Sequence, residues 1–216
     1  MSAQRVVVLI SGRGSNLGAL IAAGLPVSAV LSNRADAPGL ALAQSHGIAT
    51  ESLSPRDYPD RTSFDRALSE RIDHYRPDLV VLAGYMRILS DEFVMHYQGR
   101  LINIHPSLLP SYPGMDTHAR ALSDGVKVHG CTVHFVIPEL DSGPIIMQAG
   151  VPVHADDSVN SLTERVLAAE HHIYPQAIAW YLQDRLTVDA QGRVNVAGVS
   201  PMAQSVLMLD VATEGG

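Results

Sequence analysis

Short apolar segments and helix-like segments alternate along the first half of the chain. Five segments are predicted as strands: Val6–Ile10, Val27–Leu31, Ile48–Ser52, Leu79–Ala83 and Leu101–His105. Helical patterns lie between several of them: Leu17–Ala23, Leu40–Ser45 and Arg61–Tyr75. In the last of these, Phe64, Leu68 and Ile72 recur at intervals of four, which is typical of an amphipathic helix. Strands separated by helices imply right-handed crossovers and a mostly parallel sheet.

The second half of the chain has a different pattern. Two longer strands are predicted at Val128–Val136 and Ile145–Val153, joined through the turn-rich segment Pro138–Gly143. A long helix is predicted to begin near Ser158, and we expect Pro175 to bend it. The sequence therefore predicts an α/β fold: a mostly parallel twisted sheet flanked by helices, with an antiparallel addition in the C-terminal half.

The polar residues of the long helix and the C-terminal tail give weaker signals. Ser161 and Glu164 have the spacing of a capping box, one turn after the expected helix start. Beyond Arg185 only weak strand patterns occur. We expect the terminal segment Glu214–Gly216 to be frayed, as chain ends commonly are.

Length and composition limit the function classes. A chain of 216 residues fits one domain, with a core at about 5–185 and a short extension over 186–216. A hydrophobic content of 46% with 17% charged residues is typical of a globular protein and excludes a disordered one. The net charge of −7 argues against nucleic-acid binding, which needs a Lys/Arg surface, although a local basic pocket for a small anion stays open.

The cysteine count and the N-terminus indicate the compartment. Cys131 is the one cysteine of the chain, so no internal disulfide can form, as expected in a reducing compartment. We expect it to be a small core residue. The apolar run Val6–Ile10 is too short for a signal sequence or a membrane span. The sequence therefore predicts a cytoplasmic protein that does not insert into membranes.

Two polar residues interrupt the predicted strand Leu101–His105. Asn103 and His105 are two positions apart, and alternate residues of a strand point to the same face. Pro106 has no N–H with which to continue the ladder, so the strand is expected to stop there. Open α/β sheets place ligands at this end of their strands. The alternative, two polar core residues satisfied by the backbone, is less compatible with this pairing.

A glycine-rich turn follows the first strand. Gly12 and Gly14 permit backbone conformations closed to other residues, and Ser15 is predicted to cap the following helix. N–H groups at a helix N-terminus form an anion site, to which Ser15 and Asn16 add donors. Because position 17 is Leu, this is not the dinucleotide fingerprint, and the Lys of a P-loop is missing. A phosphate monoester fits, and the alternative is a tight turn with a conventional cap.

Two further loops carry candidate side chains. Arg87, within Met86–Leu89, can form two parallel hydrogen bonds to a carboxylate or a ring edge, beside apolar neighbours that would line a slot. The alternative is a loop that packs on its own sheet. Asp141 lies in the stiff loop Pro138–Pro144, and a carboxylate next to an imidazole favours the protonated imidazole and orients it. The alternative is a solvated aspartate, and the sequence leaves the distance to His105 open.

Metal and serine chemistry are weaker readings of the same residues. The ten histidines show neither a His-x-x-x-His nor a His-Glu-x-x-His helix spacing, and there is no second cysteine. Ser107 stands two positions after His105, but no Gly-x-Ser-x-Gly elbow is present.

Five segments occur together in an order found in one known family. They are Ile10–Asn16, Leu82–Leu89, Asn103–Pro110, His129–Val136 and Leu140–Pro144. In these segments the chain resembles the phosphoribosylglycinamide formyltransferases, a family of the folate-dependent formyltransferase superfamily, over roughly residues 5–185. The resemblance implies the Rossmann-like formyltransferase fold. It also implies transfer of a formyl group from 10-formyltetrahydrofolate to the primary amine of glycinamide ribonucleotide in purine biosynthesis, without a metal, by a monomer or homodimer.

The resemblance also implies roles for individual residues. Asn103 would stabilise the tetrahedral oxyanion, His105 would add charge and act as general acid, and Asp141 would tune His105 and relay a proton through a bound water. The ribonucleotide would contact Gly14, Ser15, Asn16, Leu167, Ala168, Ala169 and Glu170. The folate would contact Arg61, Met86, Arg87, Ile88, Leu89, Asn103, Ile137, Pro138, Glu139, Leu140 and Asp141.

Three rival functions share parts of this pattern. A formyltetrahydrofolate hydrolase normally adds an N-terminal regulatory domain, for which the residues before the first strand leave no room. A methionyl-tRNA formyltransferase would carry a C-terminal barrel and a basic surface, against which the short extension and the negative charge argue. A non-catalytic folate- or phosphate-binding module would not need Asn103, His105 and Asp141 together.

Overall fold

The computed structural model describes residues 4–207. The strands are β1 Val6–Ile10, β2 Val27–Ser32, β3 Ala49–Ser52, β4 Leu79–Leu82, β5 Leu101–His105, β6 Val128–Phe135, β7 Ile145–Pro152, β8 Leu186–Val188, β9 Val194–Val196 and β10 Ser205–Leu207. The α-helices are α1 Ser15–Ala22, α2 Pro38–Ser45, α3 Arg61–His74, α4 Asp91–His96, α5 Thr117–Ser123 and α6 Val159–Leu182. Short 3₁₀ helices occupy Pro55–Asp57 and Pro201–Gln204.

Eight strands form one sheet in the order β10-β7-β6-β5-β4-β1-β2-β3. The N-terminal half of the sheet, β1 to β5, is parallel throughout. In the C-terminal half, β6 runs antiparallel to β5 and to β7, and β10 pairs parallel with β7. Strands β8 and β9 form a separate antiparallel pair. The predicted α/β fold with a mostly parallel sheet and an antiparallel addition is therefore confirmed.

Two apolar cores cover the two faces of the sheet. Because β1 and β4 are buried on both faces, every one of their side chains is apolar, as expected for parallel strands. One core packs α1, α2 and α6 against the sheet, and the other packs α3 and α4. The intervals of four predicted for α3 are observed, since Phe64, Leu68 and Ile72 all lie in the second core. The sheet is thus a rigid frame whose strand ends position the loops.

The start of α1 differs from the prediction. Its N-cap is Gly14, in the left-handed region at φ 76°, and no side chain caps the helix. The predicted Ser15 cap is therefore wrong, because Ser15 is already the first helical residue. A Cβ at position 14 would lie 2.9 Å from the Cα of Gly39, so glycine is needed here for space as well as for conformation.

The capping box of α6 also differs from the prediction. The box is formed by Ser158 and Ser161, one turn earlier than the predicted Ser161 and Glu164. A box at Ser158 agrees with the predicted helix start. Pro175 lies inside α6, which continues to Leu182. Cys131 is fully buried in the core, as predicted.

Several short elements escaped prediction. Helices α4 and α5 span only six and seven residues, too few for an apolar period to emerge. Strand β10 contains three residues and adds to the edge of β7. The Glu214–Gly216 end, predicted to be frayed, lies outside the described residues. Across residues 4–207, no helix combines the length and apolarity needed to span a membrane.

Candidate active site

The candidate site is built on β5, the strand at which the parallel N-terminal half of the sheet ends. Alternation along this strand sends Ile102 and Ile104 into the core that α1, α2 and α6 cover, so Asn103 and His105 point to the opposite face. His105 is the last residue of the strand, as predicted from Pro106. Two polar side chains therefore project from the carboxyl end of an otherwise apolar strand.

His105 has a hydrogen-bond acceptor near each ring nitrogen. Its Nε2 lies 2.9 Å from the carbonyl oxygen of Tyr112. A carbonyl can only accept, so Nε2 carries a hydrogen. The Nδ1 atom lies 3.5 Å from Oδ2 of Asp141, and both side chains are more than nine-tenths buried. An imidazolium at this position would thus direct one N–H at a neutral carbonyl and the other at a buried carboxylate.

Asp141 is held against the strand by an unusual loop conformation. Its loop leaves β6 next to the amino end of β5, because Phe135 pairs with Ile102. The residue has a φ of 50°, and its Oδ2 also accepts a hydrogen bond of 2.8 Å from the N–H of Gly114. The loop therefore folds back along β5 until its carboxylate reaches His105. The reading of a solvated loop aspartate is wrong, and the distance that the sequence left open is 3.5 Å.

His134 completes the cluster and was not among the predicted site residues. Its Nδ1 lies 2.8 Å from the carbonyl oxygen of Phe135, and its Nε2 lies 3.3 Å from Nδ2 of Asn103 and 4.0 Å from Oδ1 of Asp141. Burial lowers the pKa of His134, which favours the neutral imidazole. Nδ1–H then donates to Phe135, and Nε2 accepts from Asn103.

This arrangement fixes the orientation of the Asn103 amide. One Nδ2 hydrogen donates to His134, and the second stays available as a donor next to His105 and Asp141. In the sequence, His134 is a polar residue within a strand pattern and lies in the family-matching segment His129–Val136. Its role emerges from the antiparallel register, which places it directly opposite Asn103.

The glycine-rich turn after β1 forms a second part of the site. Gly14 is buried and Ser15 is exposed at the N-terminus of α1. Asn16 donates from Nδ2 to Oε2 of Glu170 at 2.7 Å, although its amide was predicted to bind an anion. Burial raises the pKa of Glu170 to about 7, and the hydrogen bond from Asn16 lowers it in part.

Residues of α6 lead up to Glu170. Leu167 is partly buried, Ala168 is exposed, and Ala169 belongs to the core. Glu170 is the one of these four whose side chain has a hydrogen bond to the turn. The Oδ1 atom of Asn16 is buried without a hydrogen-bond partner, so this corner has unused capacity to bind a polar group.

The segment Met86–Leu89 follows β4 at the same edge of the sheet as His105. Met86 and Ile88 are 61% and 62% exposed, whereas Leu89 is 8% exposed and packs into the second core. The guanidinium of Arg87 lies over the ring of Phe64, 4.6 Å from its centroid, and its Nε is buried without a hydrogen-bond partner. Arg87 is thus preorganised by stacking and retains hydrogen-bonding capacity.

The remaining predicted contacts lie on two separate elements. Arg61 is exposed at the first residue of α3, one turn before Phe64. Ile137 is partly buried, and the loop from Pro138 to Leu140 is exposed up to the buried carboxylate of Asp141, with Leu140 55% exposed. Exposed apolar side chains thus border the polar cluster, as in many small-molecule sites.

The two weaker readings gain no support from the geometry. Ser107 donates its hydroxyl hydrogen to the carbonyl of Ser111 at 2.6 Å, so it is not oriented as a nucleophile activated by His105. Within the described part of the chain, no group of three or more His, Cys, Asp or Glu side chains could hold a metal ion.

Comparison with known proteins places the chain among formyl transferases. The formyl transferase family profile matches residues 4–178. The chain is 55% identical over 187 residues to a phosphoribosylglycinamide formyltransferase of Escherichia coli K12, covering 84% of this chain and 88% of that one. It is 45% identical over 196 residues to the trifunctional purine biosynthetic protein adenosine-3 of Bos taurus, covering 88% of this chain and 19% of the longer protein.

A solved structure agrees with this comparison. The crystal structure of a phosphoribosylglycinamide formyltransferase from Anaplasma phagocytophilum superposes with a TM-score of 0.89 at 43% identity, covering 96% of this chain and all of that one. High identity, near-complete coverage and a shared fold lead to one conclusion. The chain belongs to the formyl transferase family and, within it, to the phosphoribosylglycinamide formyltransferases.

Proposed function

We propose that the protein transfers the formyl group of 10-formyltetrahydrofolate to the amine of glycinamide ribonucleotide, as a cytoplasmic enzyme of purine biosynthesis. The observation that supports this most directly is the cluster of Asn103, His105, His134 and Asp141 at one strand end. We further propose that it acts as a monomer or homodimer, and its net charge of −7 argues against nucleic-acid binding.

The spacing of the two parts of the site suits a ribonucleotide. Strands β1 and β5 are separated only by β4, so the turn after β1 and His105 are about two strand spacings, roughly 10 Å, apart. A molecule with a phosphate at one end and an amine at the other can span that distance. We propose that Gly14, Ser15 and Asn16 hold the phosphate, with the N–H groups of α1 as donors, and that Leu167–Glu170 border the ribose.

The folate would lie on the other side of the reacting amine. We propose that Met86–Leu89 and Ile137–Asp141 line its ring and that Arg61 reaches its acidic end. The free hydrogen-bonding capacity of Arg87 and the exposed apolar side chains of both loops support this assignment. Binding both substrates in one orientation would supply much of the rate acceleration.

The reaction needs an oxyanion donor and a route for one proton. The amine nitrogen attacks the formyl carbon, a C–N bond forms, and the carbonyl oxygen becomes an oxyanion. The second Nδ2 hydrogen of Asn103 donates to this oxyanion, where preorganised dipoles contribute most. The bond between the formyl carbon and N10 of the folate then breaks, and N10 takes up one proton while the attacking amine loses one.

His105 and Asp141 are suited to this proton transfer. An imidazolium at His105 would stabilise the oxyanion by its charge and deliver a proton to N10 as general acid. Asp141, 3.5 Å from Nδ1, stabilises the imidazolium, and through a bound water it would accept the proton that the amine loses. No covalent intermediate and no metal ion is needed for these steps.

The test is a spectrophotometric assay of 10-formyltetrahydrofolate consumption with and without glycinamide ribonucleotide. We expect consumption that depends strictly on the ribonucleotide. Consumption without it would identify a formyltetrahydrofolate hydrolase. No consumption in either case, with tight folate binding, would identify a non-catalytic binding module.

A further inference from the structure

The hydroxyl of Ser11 connects three loops at the edge of the sheet. Ser11 is the first residue after β1 and is 6% exposed. Its Oγ donates to Oδ1 of Asn33 at 2.6 Å and accepts from the N–H of Met86 at 2.8 Å. Its own N–H donates to the carbonyl of Gly84 at 3.2 Å. A residue outside the catalytic cluster thus joins the loops that follow β1, β2 and β4.

Ser11 and its hydrogen bonds lie at the point where the order of the strands in the sheet reverses. Strand β1 lies between β4 and β2, and the chain order along the sheet reverses between β1 and β4. Open α/β sheets form their ligand crevice at this reversal, because the loops on its two sides turn away from each other. The hydrogen bond from Met86 to Ser11 crosses the floor of this crevice.

The hydrogen bonds have a defined direction. A serine hydroxyl has one hydrogen, and Asn33 accepts it, so a lone pair of Oγ is directed at Met86. Asn33 therefore orients the hydroxyl, and the hydroxyl holds the first backbone N–H of the segment Met86–Leu89. The other end of that segment is held in the same way, since Oδ2 of buried Asp65 accepts from the N–H of Ser90 at 2.6 Å.

We infer that Ser11 is a positioning residue, which fixes the segment Met86–Leu89 relative to the turn Gly12–Asn16 and thereby aligns the two substrates. The inference rests on the proposed function, in which the segment contacts folate and the turn contacts the ribonucleotide. Without the hydroxyl, the N–H of Met86 loses its buried acceptor and the segment shifts. The turn keeps its own hydrogen bonds, from Gly39 to Gly12 at 3.1 Å and from Gly18 to Gly14 at 2.8 Å.

The experiment compares Ser11→Ala with a matched control. For Ser11→Ala we expect kcat/KM for 10-formyltetrahydrofolate to fall about tenfold, as for the loss of one buried hydrogen bond. The dissociation constant of glycinamide ribonucleotide alone, measured by calorimetry, should stay within about twofold of the wild-type value because the turn is retained. In Ser28→Ala, which removes the hydroxyl that bonds the carbonyl of Val6 between the amino ends of β2 and β1, both values should be unchanged.

A double-mutant cycle tests the direction of the hydrogen bonds. Asn33→Ala should lower the same kcat/KM by less than Ser11→Ala, because it removes only the group that orients the hydroxyl. The double variant should be no slower than Ser11→Ala alone. Multiplied effects, equal losses of affinity for both substrates in Ser11→Ala, or wild-type kinetics in Ser11→Ala would each overturn the inference.

Failure of the proposed function would be recognised separately. If the wild-type protein showed no ribonucleotide-dependent turnover, calorimetry with 5-formyltetrahydrofolate would replace the kinetic assay. Weaker folate binding in Ser11→Ala, with unchanged ribonucleotide binding, would support the positioning role even then. Equal folate binding in Ser11→Ala and wild type, or no folate binding by either, would overturn it.

Discussion

The two halves of the sheet place their polar groups differently. In the N-terminal half, β1 and β4 carry only buried apolar side chains, and polar groups stand at strand ends such as Ser11. In the C-terminal half, the single strand β6 contains three buried polar residues: His129, Thr132 and His134. The candidate site lies where the halves meet, at the antiparallel pair β5 and β6.

This difference shows that the strands that stabilise the sheet are distinct from those that carry titratable side chains. A parallel strand covered on both faces has no room for an unsatisfied polar side chain, so β1 and β4 form a frame without titratable side chains. Strand β6, in contrast, carries imidazoles that are buried but hydrogen-bonded, such as that of His134. We therefore expect core substitutions in β1 and β4 to change stability without pH dependence. Substitutions where β5 meets β6 should change catalysis or the proton transfer that it requires.

The largest effect is expected for His105→Ala, at the boundary. Because this change removes both the charge and the general acid, kcat should fall by roughly 10²- to 10⁴-fold. Ribonucleotide binding, measured by calorimetry, should stay within about twofold of wild type. The control is His46→Ala at the C-cap of α2, an exposed histidine whose replacement should leave the kinetics at wild-type values. A kcat for His105→Ala close to that of the control would refute the assignment.

A core substitution in the N-terminal half should lower stability and leave kcat unchanged. Leu9 is fully buried in β1, so Leu9→Ala should lower the free energy of unfolding by roughly 2–5 kcal/mol, the usual range for such a truncation. Urea denaturation at pH 5 and pH 8 should give the same difference from wild type, and the folded variant should keep its kcat. A difference that changes with pH would contradict the separation of the two halves.

The same separation explains how much the sequence could predict. The bounds of β1 and β5 were predicted without error, because an apolar run buried on both faces and a proline after His105 are local signals. The shared face of Asn103 and His105 was predicted from strand alternation and is observed, since Ile102 and Ile104 lie in the core on the other face. The distance between Asp141 and His105 could not be predicted, since it depends on a loop that folds back along β5.

Features that depend on distant partners were missed. His134 gains its role only from the antiparallel register with Asn103, and Asn16 meets a carboxylate, that of Glu170, from a helix far along the chain. The incorrect Ser15 cap has a local cause. A serine beside a glycine in a turn is a common N-cap, but the close approach of Gly39 selects Gly14 for that position instead.

Glu170→Gln tests whether the buried carboxyl group of Glu170 makes the free energy of unfolding depend on pH. The pKa of Glu170 is about 7 in the folded protein, raised by burial from the ordinary value of 4.5. The folded state therefore binds the proton more tightly than the unfolded state does. Its contribution to stability is complete below pH 4.5 and is lost as the pH rises through 7. The unfolding free energy of wild type minus that of Glu170→Gln should fall by on the order of 3 kcal/mol over this range.

Denaturation in urea at several pH values between 4.5 and 8 would measure this difference. Leu9→Ala is the control, because its difference from wild type should be flat over the same range. A flat difference for Glu170→Gln as well would show that the carboxyl group titrates alike in the folded and unfolded states, and the buried pair with Asn16 would then have no part in the pH dependence.

The smallest effect is expected for His134→Ala. This substitution distinguishes the role of His134 from that of His105. This change removes the acceptor that orients Asn103, so kcat should fall about tenfold, as for one buried hydrogen bond, while KM for the ribonucleotide stays the same. His134→Gln offers a side-chain oxygen as acceptor and should recover much of the loss. Because burial lowers the pKa of His134 below its ordinary value of 6.5, the residue is neutral at higher pH.

The ratio of wild-type kcat to that of His134→Ala should therefore be constant above pH 6.5, in contrast to the Glu170→Gln stability difference. In an Asn103→Ala background, His134→Ala should cost nothing further, because the amide that it orients is gone. A ratio that varies with pH, or a full additional loss in that background, would mean that His134 exchanges protons itself. The chemistry would then extend into the C-terminal half, and β6 would be a source of catalytic groups as well as a support for those of β5.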